Sequence, residues 1–183
     1  DEPVNPVNPV EPVSPTTNNA ISNICFVANT PIITDQGEIA IDKINPDIHT
    51  IVNKPIIGIT QTISNDEYLV CFEKDTICYN VPSRKTIMSL EHKLFYKGKM
   101  VEAKEFIFKP THMKKVDFTG GLNKIYKIKY TGDILYNVLM TNHDKMMVNN
   151  LICETLHPNN GMAVLYRRLQ SKKQQNLLSK LKK

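Results

Sequence analysis

The sequence predicts an all-β domain with helix confined to its C-terminal end. Between Ile32 and Met140, short runs of β-branched and aromatic residues alternate with Asn, Asp, Gly and Pro, which is typical of strands joined by turns. Leucines recur among Arg, Lys and Gln only after Ala163, the pattern of a helix. The 183 residues, 41% of them hydrophobic, are enough for one core of ordinary size. We therefore expect one domain of antiparallel strands, followed by a helix.

Eight segments have the strand pattern. Gly98 should close a hairpin at residues 97–99, and Gly132 should close another at 131–133, because glycine tolerates the positive φ that such turns require. The predicted strands, in chain order, are residues 39–41, 56–63, 68–72, 76–81, 86–89, 92–96, 125–130 and 134–140.

Residues 1–24 form a separate, proline-rich segment. Proline stands at positions 3, 6, 9, 12 and 15, a spacing that equals one turn of polyproline II. Such a helix needs no packed partner, so we expect a semi-rigid spacer that follows an upstream domain of the same polypeptide. The predicted organisation is a linker and upstream flank over 1–24, a domain over 25–160 and a basic helical tail over 161–183.

The net charge of +5 comes from one end of the chain. Residues 167–183 contain seven Lys or Arg and no acid, so the remainder is slightly acidic. A basic helix end is usually a solvated face, and it lacks the interleaved aromatic residues of a single-strand nucleic-acid binder. We therefore disfavour nucleic acid as a partner. No apolar run approaches the length of a membrane span, and the first residues do not resemble a signal peptide.

The four cysteines form no CxxC pair and no zinc-ligand spacing. Cys71 and Cys78 lie in strand-like runs, so we predict that both are buried core residues. A disulfide between them would need a hairpin that brings their backbones within bridging range.

Cys25 stands where the linker becomes the folded domain, at the start of the run CFVANTPIIT. A thiol there can attack its own upstream peptide bond. That reaction also needs a donor for the oxyanion and an acid for the departing amine. Taken alone, Cys25 would be interpreted more simply as the first buried residue of a strand.

Two later segments contain candidates for the remaining tasks. SLEH includes Ser89 and His92, and YNVLMTNH includes Asn137 and His143. Imidazole suits proton transfer because its pKa lies near neutral pH. The plainer interpretation of His92 is a strand histidine bonded to backbone.

Together, these three segments resemble the Hint domain, the fold shared by inteins, hedgehog autoprocessing domains and bacterial intein-like domains. The resemblance extends from Cys25 to Thr155 and implies a horseshoe-like fold of long curved antiparallel strands. It also implies that Cys25 attacks the Ile24–Cys25 peptide bond in an N–S acyl shift, which gives a thioester. Ser89, at the family's threonine position, and His92 would hold the scissile amide, and His92 would protonate its nitrogen.

The third segment departs from the family pattern. Asn137 occupies the place of the usual aspartate, and an amide can donate or accept a hydrogen bond but cannot take a proton. His143 matches the downstream histidine of this segment, so we expect it to be the remaining base. Glu154 and Thr155 align with the His-Asn that ends inteins. Because no asparagine stands there to cyclise, the resemblance implies cleavage without splicing, as in the hedgehog and bacterial intein-like branch.

The chemistry implied by the resemblance needs no cofactor and no metal. Water, a thiol or an amine would resolve the thioester and release the upstream segment. No HxxxH or HxH pattern predicts a metal site. We interpret His49, His112 and His157 as structural or solvated residues.

Two functions remain open from the sequence. The first is a self-processing domain that cleaves in cis, in a single turnover, through Cys25, Ser89, His92, Asn137 and His143. The second is a catalytically silent Hint-fold module that serves as a structural or interaction domain of a larger surface protein. The ending ETLHPNN is similar to intein-like domains of large DNA viruses and phages, which would place the protein in a virion or in the host cytoplasm.

Overall fold

The computed structural model describes residues 24–107 and 125–181. The predicted linker, apart from Ile24, lies outside the described residues, and so does His112.

Strands dominate the described part of the chain, and the one long helix comes at its end, so the all-β prediction is confirmed. Two 3-10 helices, Ile41–Lys43 and Ala103–Phe106, follow short strands. The strands are β1 Phe26–Val27, β2 Pro31–Thr34, β3 Gly37–Ala40, β4 Thr50–Ile51, β5 Lys54–Thr62, β6 Tyr68–Phe72, β7 Thr86–Met88, β8 Lys93–Tyr96, β9 Lys99–Glu102, β10 Ile125–Lys129, β11 Leu135–Met140, β12 Lys145–Val148 and β13 Leu151–Glu154, and the helix is α1 Gly161–Leu181.

The strands form three antiparallel sheets. The largest has seven strands in the order β10-β6-β7-β1-β11-β5-β4, and a second has four in the order β12-β13-β8-β9. The remaining pair is β2-β3. Although β1 is only two residues long, it pairs with β7 on one side and with β11 on the other. The start of the described chain is therefore held in the middle of the largest sheet.

One main core lies between the sheets. Strand residues with buried apolar side chains supply most of it, because alternate positions of each strand face the same side. Its largest members are Phe26, Phe72, Ile32, Met88, Leu94 and Met140 of the strands and Ile41 of the first 3-10 helix.

Helix α1 docks on the domain through its first turns. Ala163 packs with Leu139 and Leu156, and Met162 and Tyr166 cover this cluster. The tyrosine ring lies directly over Gly58 of β5. From the sequence we expected the side of α1 with Leu165, Leu169 and Leu177 to contact the domain or a partner. All three leucines are exposed, and the face packed on the domain is formed instead by Ala163 and its neighbours. A partner contact through the leucines stays a prediction.

The local predictions had mixed outcomes. The hairpin at 97–99 is confirmed: β8 and β9 pair, and Lys97 and Gly98 both have positive φ. The turn at 131–133 does not close a hairpin, because β10 pairs with β6 whereas β11 pairs with β1 and β5.

The predicted strand at 76–81 is also wrong. This segment is a loop with positive φ at Asn80 and a single bridge between Cys78 and Val81. Cys78 is accordingly exposed rather than buried, whereas Cys71 is in the core as expected. All four cysteines are free thiols.

Candidate active site

The pairing of β1 with its two neighbours creates the candidate site. Phe26 lies opposite Tyr136 of β11 and opposite Met88 of β7. In antiparallel strands, the residue before Phe26 therefore lies beside the residues that follow Tyr136 and Met88. Those residues are Asn137 and Ser89, so the sheet register brings both to Cys25.

Side chains hold both polar groups of the Ile24–Cys25 peptide bond. The Cys25 N–H donates to Ser89 Oγ at 2.8 Å, and the Ile24 carbonyl accepts a hydrogen bond from Asn137 Nδ2. Ser89 also donates its own N–H to the Cys25 carbonyl at 2.9 Å. The peptide bond that the sequence predicts to be cleaved is thus hydrogen-bonded by Asn137 of β11 and by Ser89, the residue after β7.

The orientation of the Asn137 amide is fixed by its neighbour. Its Oδ1 accepts the Val138 N–H at 2.8 Å, and an N–H group can only donate. The amide oxygen must therefore face Val138, which leaves the NH2 group for the Ile24 carbonyl. Because Asn137 is fully buried, no water competes for this donor.

His92 is fully buried, and its ring interacts with the backbone of Cys25. Its Nε2 lies 3.1 Å from the Glu154 carbonyl oxygen, and its ring packs on Phe26 with centroids 4.2 Å apart. A carbonyl only accepts, so Nε2 carries the hydrogen. Nδ1 has no hydrogen-bond partner within the described residues.

Burial lowers the pKa of His92 to about 3, although the backbones of Glu154 and Cys25 act to raise it. We expected an imidazole that titrates near neutral pH, and this expectation is not met. At pH 7 the ring is neutral, with a bare Nδ1. It can therefore accept a proton before it donates one.

The Cys25 side chain points into a small apolar cluster. Leu69 and Leu135 pack against it, with Val27, Ile87, Ile128 and Tyr130 around them. Only 1% of Cys25 is exposed. The simpler interpretation of Cys25, as the first buried residue of a strand, is thus also satisfied by the structure.

His143 lies apart from this group. Its Nε2 is 3.0 Å from Glu154 Oε2, and its ring packs against His157 with centroids 5.0 Å apart. We expected His143 to be the base for the nucleophile. The structure places its Nε2 beside the Glu154 carboxylate, and the role as base stays a prediction.

Glu154 is a further residue near the site for which the sequence predicted no role. The carboxylate is almost completely buried, accepts the Lys93 N–H at 2.9 Å and pairs with His143. The signal for it was a single acid at the end of the apolar strand LICE. The next residue, Thr155, contacts Asp144: its hydroxyl accepts a hydrogen bond from the Asp144 N–H at 2.9 Å.

Other kinds of site receive no support from the described residues. Within 24–107 and 125–181, no group of three or more His, Cys, Asp or Glu side chains could hold a metal ion. In the same ranges, no helix is long and apolar enough to cross a membrane.

Comparisons with known proteins identify similar folds. The chain is similar in structure to a bacterial intein-like domain from Clostridium thermocellum, with a TM-score of 0.50, 17% identity, and coverage of 72% of this chain and 98% of that one. A GSH-linked, splice-inactive variant of the AceL NrdHF class 3 split intein gives a TM-score of 0.40 at 14% identity, with coverage of 72% and 96%. No curated protein sequence matches. The Hint domain profile matches residues 24–160, and the chain therefore belongs to the Hint domain family.

Proposed function

We propose that this domain cleaves the Ile24–Cys25 peptide bond in cis through a thioester, and that it releases the upstream segment without splicing. One observation carries the proposal. Asn137 of β11 and Ser89, the residue after β7, contact the carbonyl oxygen and the amide nitrogen of that bond. A buried peptide bond needs hydrogen-bond partners in any case. The proposal is supported by the kind of partner, because a side-chain NH2 group at the carbonyl oxygen and a hydroxyl at the amide nitrogen are the groups that this cleavage requires.

The first step is attack by the thiol. The Cys25 side chain must first turn out of the apolar cluster formed with Leu69 and Leu135. The thiol then loses its proton to the bare Nδ1 of the neutral His92 ring, and the sulfur forms a bond to the Ile24 carbonyl carbon. Negative charge develops on the Ile24 oxygen, where the Asn137 NH2 group already donates. A donor that is fixed before the reaction stabilises the transition state without reorganisation.

The second step is departure of the amine. The C–N bond breaks, the carbonyl re-forms as a thioester, and His92 passes its proton to the Cys25 nitrogen. Ser89 Oγ already accepts the hydrogen on that nitrogen, so the nitrogen lone pair is directed away from Ser89. Water, a thiol or an amine then attacks the thioester and releases the upstream segment with Ile24 at its end.

Thiol-induced cleavage tests the proposal. A tag placed ahead of Asp1 would be followed by mass spectrometry after incubation with dithiothreitol or hydroxylamine. We expect hydroxylamine to give a hydroxamate on Ile24 and a second fragment that begins at Cys25. Cys25→Ala is the control and should remain intact while folded. Cleavage at another bond, or cleavage that persists in Cys25→Ala, would refute the assignment.

A second candidate is a silent structural module. The apolar cluster around Cys25 favours it, because a thiol that is 1% exposed is closed to solvent in this conformation. The same experiment separates the two functions. A folded wild-type protein that stays intact in dithiothreitol and in hydroxylamine would leave the structural module as the function.

A further inference from the structure

We propose that Glu154 is a positioning residue for His92, and that His143 acts on the reaction only through Glu154. The inference rests on the proposed cleavage at Cys25. It assigns roles to Glu154 and His143 through their contacts with the segment that carries His92.

Glu154 holds the His92 segment at two consecutive residues. Its carbonyl oxygen faces His92 Nε2 at 3.1 Å, and its carboxylate accepts the N–H of Lys93 at 2.9 Å. The first contact selects the tautomer that leaves Nδ1 bare. The second contact joins the backbone of Lys93, the residue after His92, to the end of β13. Together they set both the position and the protonation of the ring.

His143 supports this arrangement from the other side. Its Nε2 lies 3.0 Å from Oε2, the carboxylate oxygen that does not contact Lys93. Lys145 is directly opposite Glu154 on β12, but its ammonium lies over the Phe95 ring at 4.6 Å. The carboxylate is therefore held by a main-chain N–H and by His143.

Because the Glu154 carboxylate is buried, it depends on both of its hydrogen-bond partners. Only 3% of the Glu154 side chain is exposed, against 39% for His143. A buried carboxylate is costly unless each oxygen is hydrogen-bonded, so the loss of either partner would let the side chain shift. A shift of the end of β13 moves the carbonyl away from His92. Displacements of about 1 Å in a catalytic group can cost on the order of 100-fold in rate.

The cleavage rate in dithiothreitol tests the proposal with matched variants. Glu154→Gln keeps an acceptor for Lys93 and should stay within about threefold of wild type. Glu154→Ala removes the acceptor and should be slower by on the order of 10- to 100-fold. The control is Glu102→Ala, which removes the acid opposite Lys93 on β9. Glu102 makes a surface ion pair with Lys104, so this variant should cleave at the wild-type rate.

Non-additivity tests the role of His143. His143→Ala should slow cleavage less than Glu154→Ala, and the double variant should be no slower than Glu154→Ala alone. If His143→Ala slows the reaction by the same factor in both backgrounds, His143 acts independently and the proposal fails.

The tautomer of His92 gives a readout that a purely structural role would not change. Nitrogen-15 NMR would be recorded in the Cys25→Ala background, which cannot cleave. We expect a single Nε2–H tautomer that persists with Glu154→Gln and is lost with Glu154→Ala. If Glu154→Ala retains both the tautomer and the rate, Glu154 has no positioning role, although cleavage at Cys25 would stand. If the wild type does not cleave, the proposed function fails, and the tautomer alone decides whether Glu154 positions the ring.

Discussion

Asn137 and His92 differ in what they can do at the Ile24–Cys25 peptide bond. Asn137 can donate to the Ile24 oxygen, but its own oxygen is engaged by Val138, so it cannot move a proton. His92 is neutral and has a bare Nδ1. In the proposed mechanism, charge stabilisation is therefore assigned to Asn137 and proton transfer to His92.

Substitution of Asn137 separates these two tasks. Asn137→Ala should slow thiol-induced cleavage by on the order of 100- to 1,000-fold, the usual effect of losing one oxyanion donor. Asn137→Asp keeps the shape but places a carboxylate against the Ile24 oxygen. Burial raises the pKa of a carboxyl at this position, and only its protonated form can donate. The rate of Asn137→Asp relative to wild type should therefore rise as the pH falls, and a ratio that is constant with pH would contradict the donor role.

The buried His92 ring should also make folding stability depend on pH. Its pKa is about 3 in the folded protein and about 6.5 in the unfolded chain, so the unfolded state binds the proton first. Stability is complete above about pH 6.5 and is lost as the pH falls below it, by about 1.4 kcal/mol per pH unit. Urea unfolding at pH 7 and pH 5.5 would measure this. His92→Gln should lose about 1 kcal/mol less than wild type over the interval, and an equal loss would show that His92 is not buried as a neutral ring.

The residues around the scissile bond could be found from the sequence because short motifs fix them. SLEH places Ser89 directly after a strand and YNVLM places Asn137 within one, and the structure brings both side chains to the peptide bond before Cys25. Their catalytic roles stay predictions. The state of His92 could not be anticipated, because its pKa depends on complete burial by distant segments. The partner of His143 was hidden for the same reason, since Glu154 reaches it only when β12 and β13 pair.

The strand predictions held where a segment is apolar throughout and failed where turn residues bend the chain. The segment 68–72 is apolar throughout, and the structure has β6 at Tyr68–Phe72. β1 has two residues, too few for any periodic pattern, yet its pairing places the candidate site. The segment 76–81 has strand-like residues, but positive φ at Asp75 and Asn80 turns the chain. In this segment the turns prevented a strand, although the residues have a high β propensity.

The contact between helix α1 and β5 gives a prediction at this scale. A Cβ added at Gly58 would lie 2.2 Å from Tyr166 Cζ, so Gly58→Ala must displace the ring. We expect a loss of roughly 1 to 3 kcal/mol in the free energy of unfolding, typical of overpacking. Urea unfolding would measure the loss, and hydrogen exchange should increase in the first turns of α1.

A double-mutant cycle provides the control. Tyr166→Ala removes the obstructing ring, so Gly58→Ala should cost close to nothing in that background. Equal costs in both backgrounds would mean that the strand, rather than the helix contact, requires glycine.

The segment from Thr155 to Asn160, which follows the last strand, is hydrogen-bonded to the domain and to helix α1. The Thr155 hydroxyl accepts the Asp144 N–H and donates to the Asp144 carbonyl at 3.1 Å, and the Leu156 N–H donates to Val138 at 2.8 Å. Asn160 caps α1, because its Oδ1 accepts the Met162 N–H at 2.9 Å. Its carbonyl accepts the Val164 N–H. Asparagine cyclisation would have to break this first turn of the helix.

We therefore predict that the domain cuts no bond after Leu151. Thr155 has no amide to cyclise, and the carboxamide of Asn160 is engaged as a helix cap. A reporter fused after Lys183 should remain on the fragment that begins at Cys25 after N-terminal cleavage has run to completion, and mass spectrometry should find one such species. Asn160→Ala should behave in the same way, apart from a loss of about 1 kcal/mol in stability from the missing cap. A ligated product that joins the upstream segment to the reporter would make the protein a splicing element. Free reporter would show that a second bond is broken.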